Sequence, residues 1–229
     1  VSQSVLESAT SDRPALLVVA APAEADAILA DCPARTDPWR RIRLNERLHI
    51  VIAGVGKANA AGATALVARP DDTSCVISIG LAGALPGAPV AIGDVVLADS
   101  SVYADEGIAT PDGFRTCAQM GFALAMDDTD VASVDPELLE ALRPLADHVG
   151  PVATVSTCSG TDEAAQAVRE RTGALAEAME GAAVLHASLR LGLPAVELRV
   201  ISNTTGDRRR QKWDLPKALS RLGELIGAL

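Results

Sequence analysis

Aromatic residues are nearly missing from this sequence: two Trp, two Phe and one Tyr in 229 residues. The core must then be built from Ala, Val and Leu, whose small side chains let helices sit close against a sheet. Positive charge is also short. Lys and Arg number 20 against 30 Asp and Glu, a formal net charge of −10. That disfavours a general nucleic-acid surface, which needs clustered positive charge, although a local Arg can still hold a small anion. Histidine is scarce, and His49, His148 and His186 stand apart and read as structural. The four cysteines, Cys32, Cys75, Cys117 and Cys158, contain no C-x-x-C pair. A zinc site is not expected from such a set. The thiols read as buried and free in a reducing cytoplasm. No apolar run is long enough for a bilayer. Residues 1–14 are polar and carry Asp12 and Arg13, unlike a signal peptide. The expectation is a cytoplasmic protein without membrane or nucleic-acid partners. A loosely held tail over 1–14 precedes one domain over 15–229.

What is present is 48% hydrophobic residues arranged in alternating short runs. A chain of this length buries a core without staples. The run from Ala15 to Ala20 is suited to a buried strand. A turn at Pro22 and a helix through Glu24 to Ala30 follow. His49 to Ala53 predicts a strand, and Gly54-Val55-Gly56 leads into an Ala-rich helix from Lys57 to Ala68. Cys75 to Ile79 predicts a third strand ending in a small-residue loop, Gly80-Leu81-Ala82-Gly83-Ala84. Asp94 to Tyr103 predicts a longer strand, and 105–121 a polar loop with a short hairpin. Asp135-Pro136 opens a helix with an Asp cap and Pro at its first position. Val152 to Ser156 predicts a strand, and Thr161 or Asp162 caps a helix to Arg171. Leu175 to Met179 is a short strand, and Glu180 starts an apolar helix to Leu191. Ala195 to Ser202 is a strand, and Asp214 opens the last helix. The pattern predicts a single-domain α/β fold, a three-layer α/β/α sandwich around a central mixed sheet.

Three positions stand at chain turns where chemistry collects. Gly54-Val55-Gly56-Lys57 lacks the third Gly of a dinucleotide fingerprint, because Asn59 sits there. It also lacks the early Gly and the Ser or Thr of a phosphate loop, whose places hold Val51 and Ala58. It remains a strand-to-helix turn whose free N–H groups either meet an anion or water, or only allow close packing. Glu180 sits where a short strand passes into a buried helix. It is either a helix N-terminal charge or a ligand-gripping group at a strand's C-terminal end, where open α/β sheets bind ligands. Asn203 ends an apolar strand, where a turn or capping role is the plain reading. Glu24 alone reads as an exposed first-turn acid, and Asp207-Arg208-Arg209-Arg210 as a solvated loop.

Together these positions resemble the nucleoside phosphorylase and nucleosidase family. The matching segments are Ala53 to Ala60, Ile79 to Ala84, Ala178 to Ala183 and Arg199 to Asn203, in order and in register. Within that family, Val102 to Gly107, Thr110 to Phe114 and Ile201-Ser202-Asn203 are most similar to the futalosine hydrolases of the menaquinone route. The resemblance implies a phosphorylase/hydrolase-like fold, a small-molecule nucleoside substrate, no cofactor, and a homo-oligomer, most simply a dimer. It implies that Met179 and Glu180 pack under the ribose and bind its hydroxyls. Ala82 and Gly83 would border the base, and Ser159 and Gly160 would flank the purine. Glu24 would position the attacking water, although the turn before it is one residue shorter than the family's. The aromatic that stacks on adenine in methylthioadenosine nucleosidases is not evident.

Two departures from the family carry information. Bacterial hexameric phosphorylases place a phosphate-binding Arg where this chain has Ser78, so the bidentate clamp is gone and water becomes the expected nucleophile. Adenine-specific nucleosidases carry Asp where this chain has Asn203. An amide can donate to a carbonyl O6 and accept from a protonated N7, but it supplies no proton. The expected leaving base is a 6-oxopurine, released by dissociative hydrolysis. For an acidic group on the 5′ arm, Arg115 is one candidate partner.

Overall fold

The computed structural model describes residues 13–29, 37–122, 124 and 129–229. The expected tail up to residue 12, the predicted helix end at Ala30, and Cys32 lie outside the described residues. The strands are β1 (Ala15–Val19), β2 (Arg41–Arg43), β3 (Leu48–Ile52), β4 (Val76–Ala84), β5 (Val95–Tyr103), β6 (Gly107–Thr110), β7 (Gly113–Thr116), β8 (Val131–Ser133), β9 (His148–Thr154), β10 (Ala176–Ala178) and β11 (Ala195–Thr204). The α-helices are α1 (Pro22–Ile28), α2 (Lys57–Val67), α3 (Pro136–Leu142), α4 (Asp162–Thr172), α5 (Gly181–Arg190) and α6 (Leu215–Ala228). The strands of the main sheet run in the order β10-β9-β5-β11-β4-β1-β3-β2, with β8 beside β5. Pairing is mixed: β1 lies parallel to β3 and β4, whereas β11 is parallel to β4 and antiparallel to β5.

The buried runs explain the layering. Along β1, Leu17 and Val19 face one cluster that includes Ile28 of α1, Leu138 of α3 and Leu222 of α6. Leu16 and Val18 face the other, with Ala60 and Ala63 of α2 and Ala182 and Leu185 of α5. Successive strand residues point to opposite faces, so a strand buried on both faces must be apolar throughout, as β1 is. The alanines of α2 and α5 let those helices approach closely, as the shortage of aromatics requires.

Most predicted caps are where expected. Asp135 accepts from the N–H groups of Glu137 and Leu138, both at 3.0 Å, and Thr161 accepts from Ala164 N at 3.1 Å. Asp214 caps α6. Three expectations change, and two short strands are added. Pro22 is not a turn before α1 but its first residue. The run Gly80-Leu81-Ala82-Gly83-Ala84 is not a loop. It continues β4, paired residue for residue with β11 from Gly80↔Arg199 to Thr204↔Ala84 around one irregularity at Ile201/Asn203. Its small residues are there because polar side chains crowd it: a Cβ on Gly80 would lie 2.6 Å from Glu24 Oε1 and 2.8 Å from Arg199 Nη1. The three-residue strands β2 and β8 have no signal in the sequence and exist only by pairing with β3 and β5. The thiols do not share one fate. Cys75 is buried, Cys117 half-buried and Cys158 exposed. The hairpin expected within 105–121 is β6–β7.

β10 closes the architecture. It runs parallel to β9 and also antiparallel to β4, pairing Glu177 with Gly83. Since Gly83 also pairs with Asn203, residues 177 and 203 flank one glycine from opposite sides.

Candidate functional site

At the C-terminal ends of β1, β3, β10 and β11 lies a cavity of about 300 Å³. Open α/β sheets place ligands at such strand ends. Its lining includes Glu24, Ala82, Gly83, Ser159, Met179, Glu180 and Asn203. These seven come from five separate stretches of chain. Gly160 is not in the lining; its carbonyl accepts from Arg208 N at 3.0 Å just outside.

Glu24 is buried, 6% exposed, and not the exposed helix acid that its position in the sequence reads as. It is the third residue of α1. Its Oε2 accepts from Ala21 N at 2.8 Å, reaching back over the helix start, and its Oε1 accepts from Leu81 N at 2.7 Å. Burial pushes its carboxyl above the ordinary value. The two backbone hydrogen bonds and the Arg199 charge oppose that rise, and Glu180 adds to it. Each oxygen keeps a second lone pair for a water.

Glu180 is the N-cap of α5, but its side chain does not cap that helix. Its Oε1 accepts from Gly56 N at 3.0 Å, and its Oε2 accepts from Met179 N at 3.2 Å. The Gly54-Val55-Gly56 turn therefore does present an N–H to an anion, and the anion is the protein's own carboxylate. Gly54 and Gly56 hold φ of 91° and 96°, a region open to glycine. That turn lets the backbone reach across to Glu180.

Behind both carboxylates lies Arg199, 1% exposed. Its Nε donates to Glu197 Oε1 at 2.8 Å, its Nη2 donates to Ser78 Oγ at 2.9 Å, and its Nη1 stands 3.5 Å from Glu180 Oε2. Glu197 also accepts from the Ser101 hydroxyl. Ser78 thus has a definite task, bracing this guanidinium. Arg199 and Glu197 brace the Glu180 carboxylate from behind the cavity, and sequence reading missed both. Their signal was faint: two charges at alternate positions, pointing to one face of an otherwise apolar strand.

On the other wall, Asn203 Oδ1 accepts from the Ser202 hydroxyl at 2.8 Å, and its Nδ2 donates to Thr204 O at 2.9 Å. One amide N–H and one Oδ1 lone pair remain. Glu177, unremarked in the sequence, also lines the cavity and is 5% exposed. It accepts from Ser159 N at 2.8 Å and from Ser159 Oγ at 2.6 Å. Burial raises its carboxyl, against those two bonds.

The segment 207–213 is more than a solvated loop. Arg208 and Trp213 both line the cavity, with the Arg208 guanidinium 4.7 Å from the centre of the Trp213 ring. An aromatic does reach the site, from a stretch the family motifs do not cover. Arg115 sits on β7, donates to Gln119 O at 3.3 Å, and is not in the lining. Among the described residues, no group of three or more His, Cys, Asp or Glu is placed to hold a metal. No helix among them is long and apolar enough to cross a membrane.

Comparison with known proteins gives a consistent result. The phosphorylase superfamily model matches residues 15–229. A futalosine hydrolase from Acidothermus cellulolyticus is 40% identical over 224 residues, covering 93% of this chain and 89% of that one. One from Streptomyces coelicolor is 37% identical, covering 93% and 94%. Among solved structures, S-adenosylhomocysteine nucleosidase from Streptococcus pyogenes superposes with a TM-score of 0.77 at 23% identity, covering 95% and 96%.

Proposed function

We propose that this chain, which belongs to the phosphorylase superfamily and is an N-glycosyl hydrolase, cleaves futalosine to hypoxanthine and dehypoxanthine futalosine in menaquinone biosynthesis. The observation that carries the mechanism is the facing pair of buried carboxylates, Glu24 and Glu180, held by backbone N–H groups around one cavity. The C1′–N9 bond stretches first and leaves positive charge on the ribose. Glu180 accepts from the sugar hydroxyls, and its fixed charge favours that transition state. Glu24 orients a water and takes one of its protons as the oxygen bonds to C1′. Asn203 donates its remaining N–H to O6 and accepts from the N7–H of the leaving base. The N7 proton comes from solvent water, since an amide has none to give.

Two observations support this substrate over a simple nucleoside or a phosphorolytic reaction. Ser78 carries no charge, and the nearby Arg199 is turned to Glu197, Glu180 and Ser78 and not to the cavity. Arg208 and Trp213 bring a cation and an aromatic face to the cavity, as an arylcarboxylate on the 5′ arm requires. We read the protein as a cytoplasmic homodimer. Val55, half-exposed on the cavity rim, and Leu66 on α2 are apolar surface that a second copy would cover. Sedimentation of the purified protein tests that assembly, and a monomer at micromolar concentration overturns it. The reaction is tested by following base release from futalosine with and without phosphate. Hypoxanthine release without phosphate is expected; strict phosphate dependence, or no release, overturns the reading.

A further inference from the structure

We propose that Glu177 reads the N1–H of the leaving base and, with Asn203, sets the preference for 6-oxopurines over 6-aminopurines. The inference rests on the hydrolase reading above and deepens it. Glu177 and Asn203 both pair with Gly83 from opposite sides of β4. Residues paired directly across strands point to the same face of the sheet. Their backbones are two strand spacings apart, about 10 Å. Between them Gly83 contributes no side chain, and a Cβ there would lie 3.0 Å from Asn203 Nδ2 and 2.8 Å from Thr205 Cγ2. There is no room for a side chain at Gly83, and the amide and the carboxylate line the same cavity from either side of it.

The donor pattern fits one class of base. A 6-oxopurine presents N7 and O6 on one side and an N1–H donor beyond O6. A 6-aminopurine has a bare lone pair at N1. Asn203 serves the N7 and O6 side, and a carboxylate at Glu177 accepts from N1–H but repels the N1 lone pair. Ser159 already donates from its N–H and its hydroxyl to the two Glu177 oxygens, which favours the carboxylate and fixes its direction. A carboxylate has about four lone-pair sites, so two stay open for a ligand. An acid this deeply placed is expensive to bury for loop support alone. A site built for one hydrogen-bond pattern discriminates against the other.

The test is calorimetric binding of three free bases, hypoxanthine, 1-methylhypoxanthine and adenine, to the wild type, Glu177→Gln and Ser159→Ala. The wild type is expected to prefer hypoxanthine by roughly 10- to 100-fold, the worth of one hydrogen bond to a charged group. In Glu177→Gln the amide N–H₂ replaces an acceptor. Hypoxanthine should then weaken by that factor, 1-methylhypoxanthine should hold steady, and adenine should gain. Ser159→Ala should weaken all three bases alike. A wild type blind to the N1-methyl group overturns the proposal. So does an equal loss of every base in Glu177→Gln, which would mark Glu177 as a brace for Ser159. Free-base binding is read whether or not futalosine is turned over, so the failure of the reaction and the failure of this assignment give different results.

Discussion

Glu24 is held by two backbone N–H groups, and its burial raises its carboxyl above the ordinary value. The sign of the pH effect follows. Only the carboxylate can take a proton from water, and protonation removes it as pH falls. Because the group's value is raised, kcat/KM should begin to fall at a higher pH than an unperturbed Glu would give. Glu24→Gln keeps the size and one acceptor but loses the base. It should lower kcat by about 10²–10⁴-fold, erase the acid limb of the pH profile, and leave KM nearly unchanged. Full activity in that variant would remove Glu24 from the mechanism. Asn203 makes a second prediction at this scale. Its Nδ2 donates to Thr204 O, so Asn203→Asp sets an oxygen against a carbonyl unless the new carboxyl is protonated. That proton restores the contact and equips the site for a 6-aminopurine. Turnover of futalosine should drop, and turnover of its 6-amino counterpart should rise relative to it; an unchanged ratio would mean that the base is read elsewhere.

At the scale of elements, α5 docks so closely that its first residue can only be glycine. A Cβ on Gly181 would stand 2.0 Å from Glu197 Oε2 and 2.1 Å from Oε1. Glu197 cannot step aside, because Arg199 and Ser101 hold it in the interior. Gly181→Ala should therefore destabilise the fold by about 1–3 kcal/mol, the usual range for overpacking, and lower Tm by roughly 2–12 °C in a chain of this size. Differential scanning calorimetry reads it, and an unshifted Tm would show that α5 can slide on the sheet. This contact also marks how far the sequence could be read. Local signals were legible: the apolar run of β1, the length of β5, and the Asp135, Thr161 and Asp214 caps all depend on neighbours in sequence. The second half of β4 was not, because Gly80 to Ala84 have no strand preference of their own and are extended only by β11 and β10. Arg199 and Glu197 were hidden for the same reason. Their pairing with Ser78 and Ser101 joins β11 to β4 and β5, and no spacing within one segment records it. Glu24, Glu180 and Asn203 came through resemblance; by position alone each had a plainer reading.

The whole molecule carries a net charge of −10, yet its proposed substrate is an anion. The balance is corrected locally by the way charges pair around 207–210. Asp207 binds Arg209 and Arg210, and Asp162 binds Arg210 as well. Among the described residues no carboxylate pairs with Arg208, which donates to the neutral Gln211 side chain and lies over Trp213 at the cavity. Three consecutive arginines thus have two destinations: a surface ion-pair cluster for two, and the ligand cavity for one. If Arg208 meets the carboxylate of the 5′ arm, Arg208→Gln should raise KM for futalosine by about tenfold, the scale of one charge-assisted hydrogen bond. Hypoxanthine binding should stay unchanged, because the proposed base site lies between Asn203 and Glu177, away from Arg208. Inosine, which has no acidic arm, should be indifferent to the substitution. Steady-state kinetics on both nucleosides separate the outcomes. A futalosine KM that does not move would detach Arg208 from the substrate, whereas equal losses for futalosine and inosine would place it at the sugar or base.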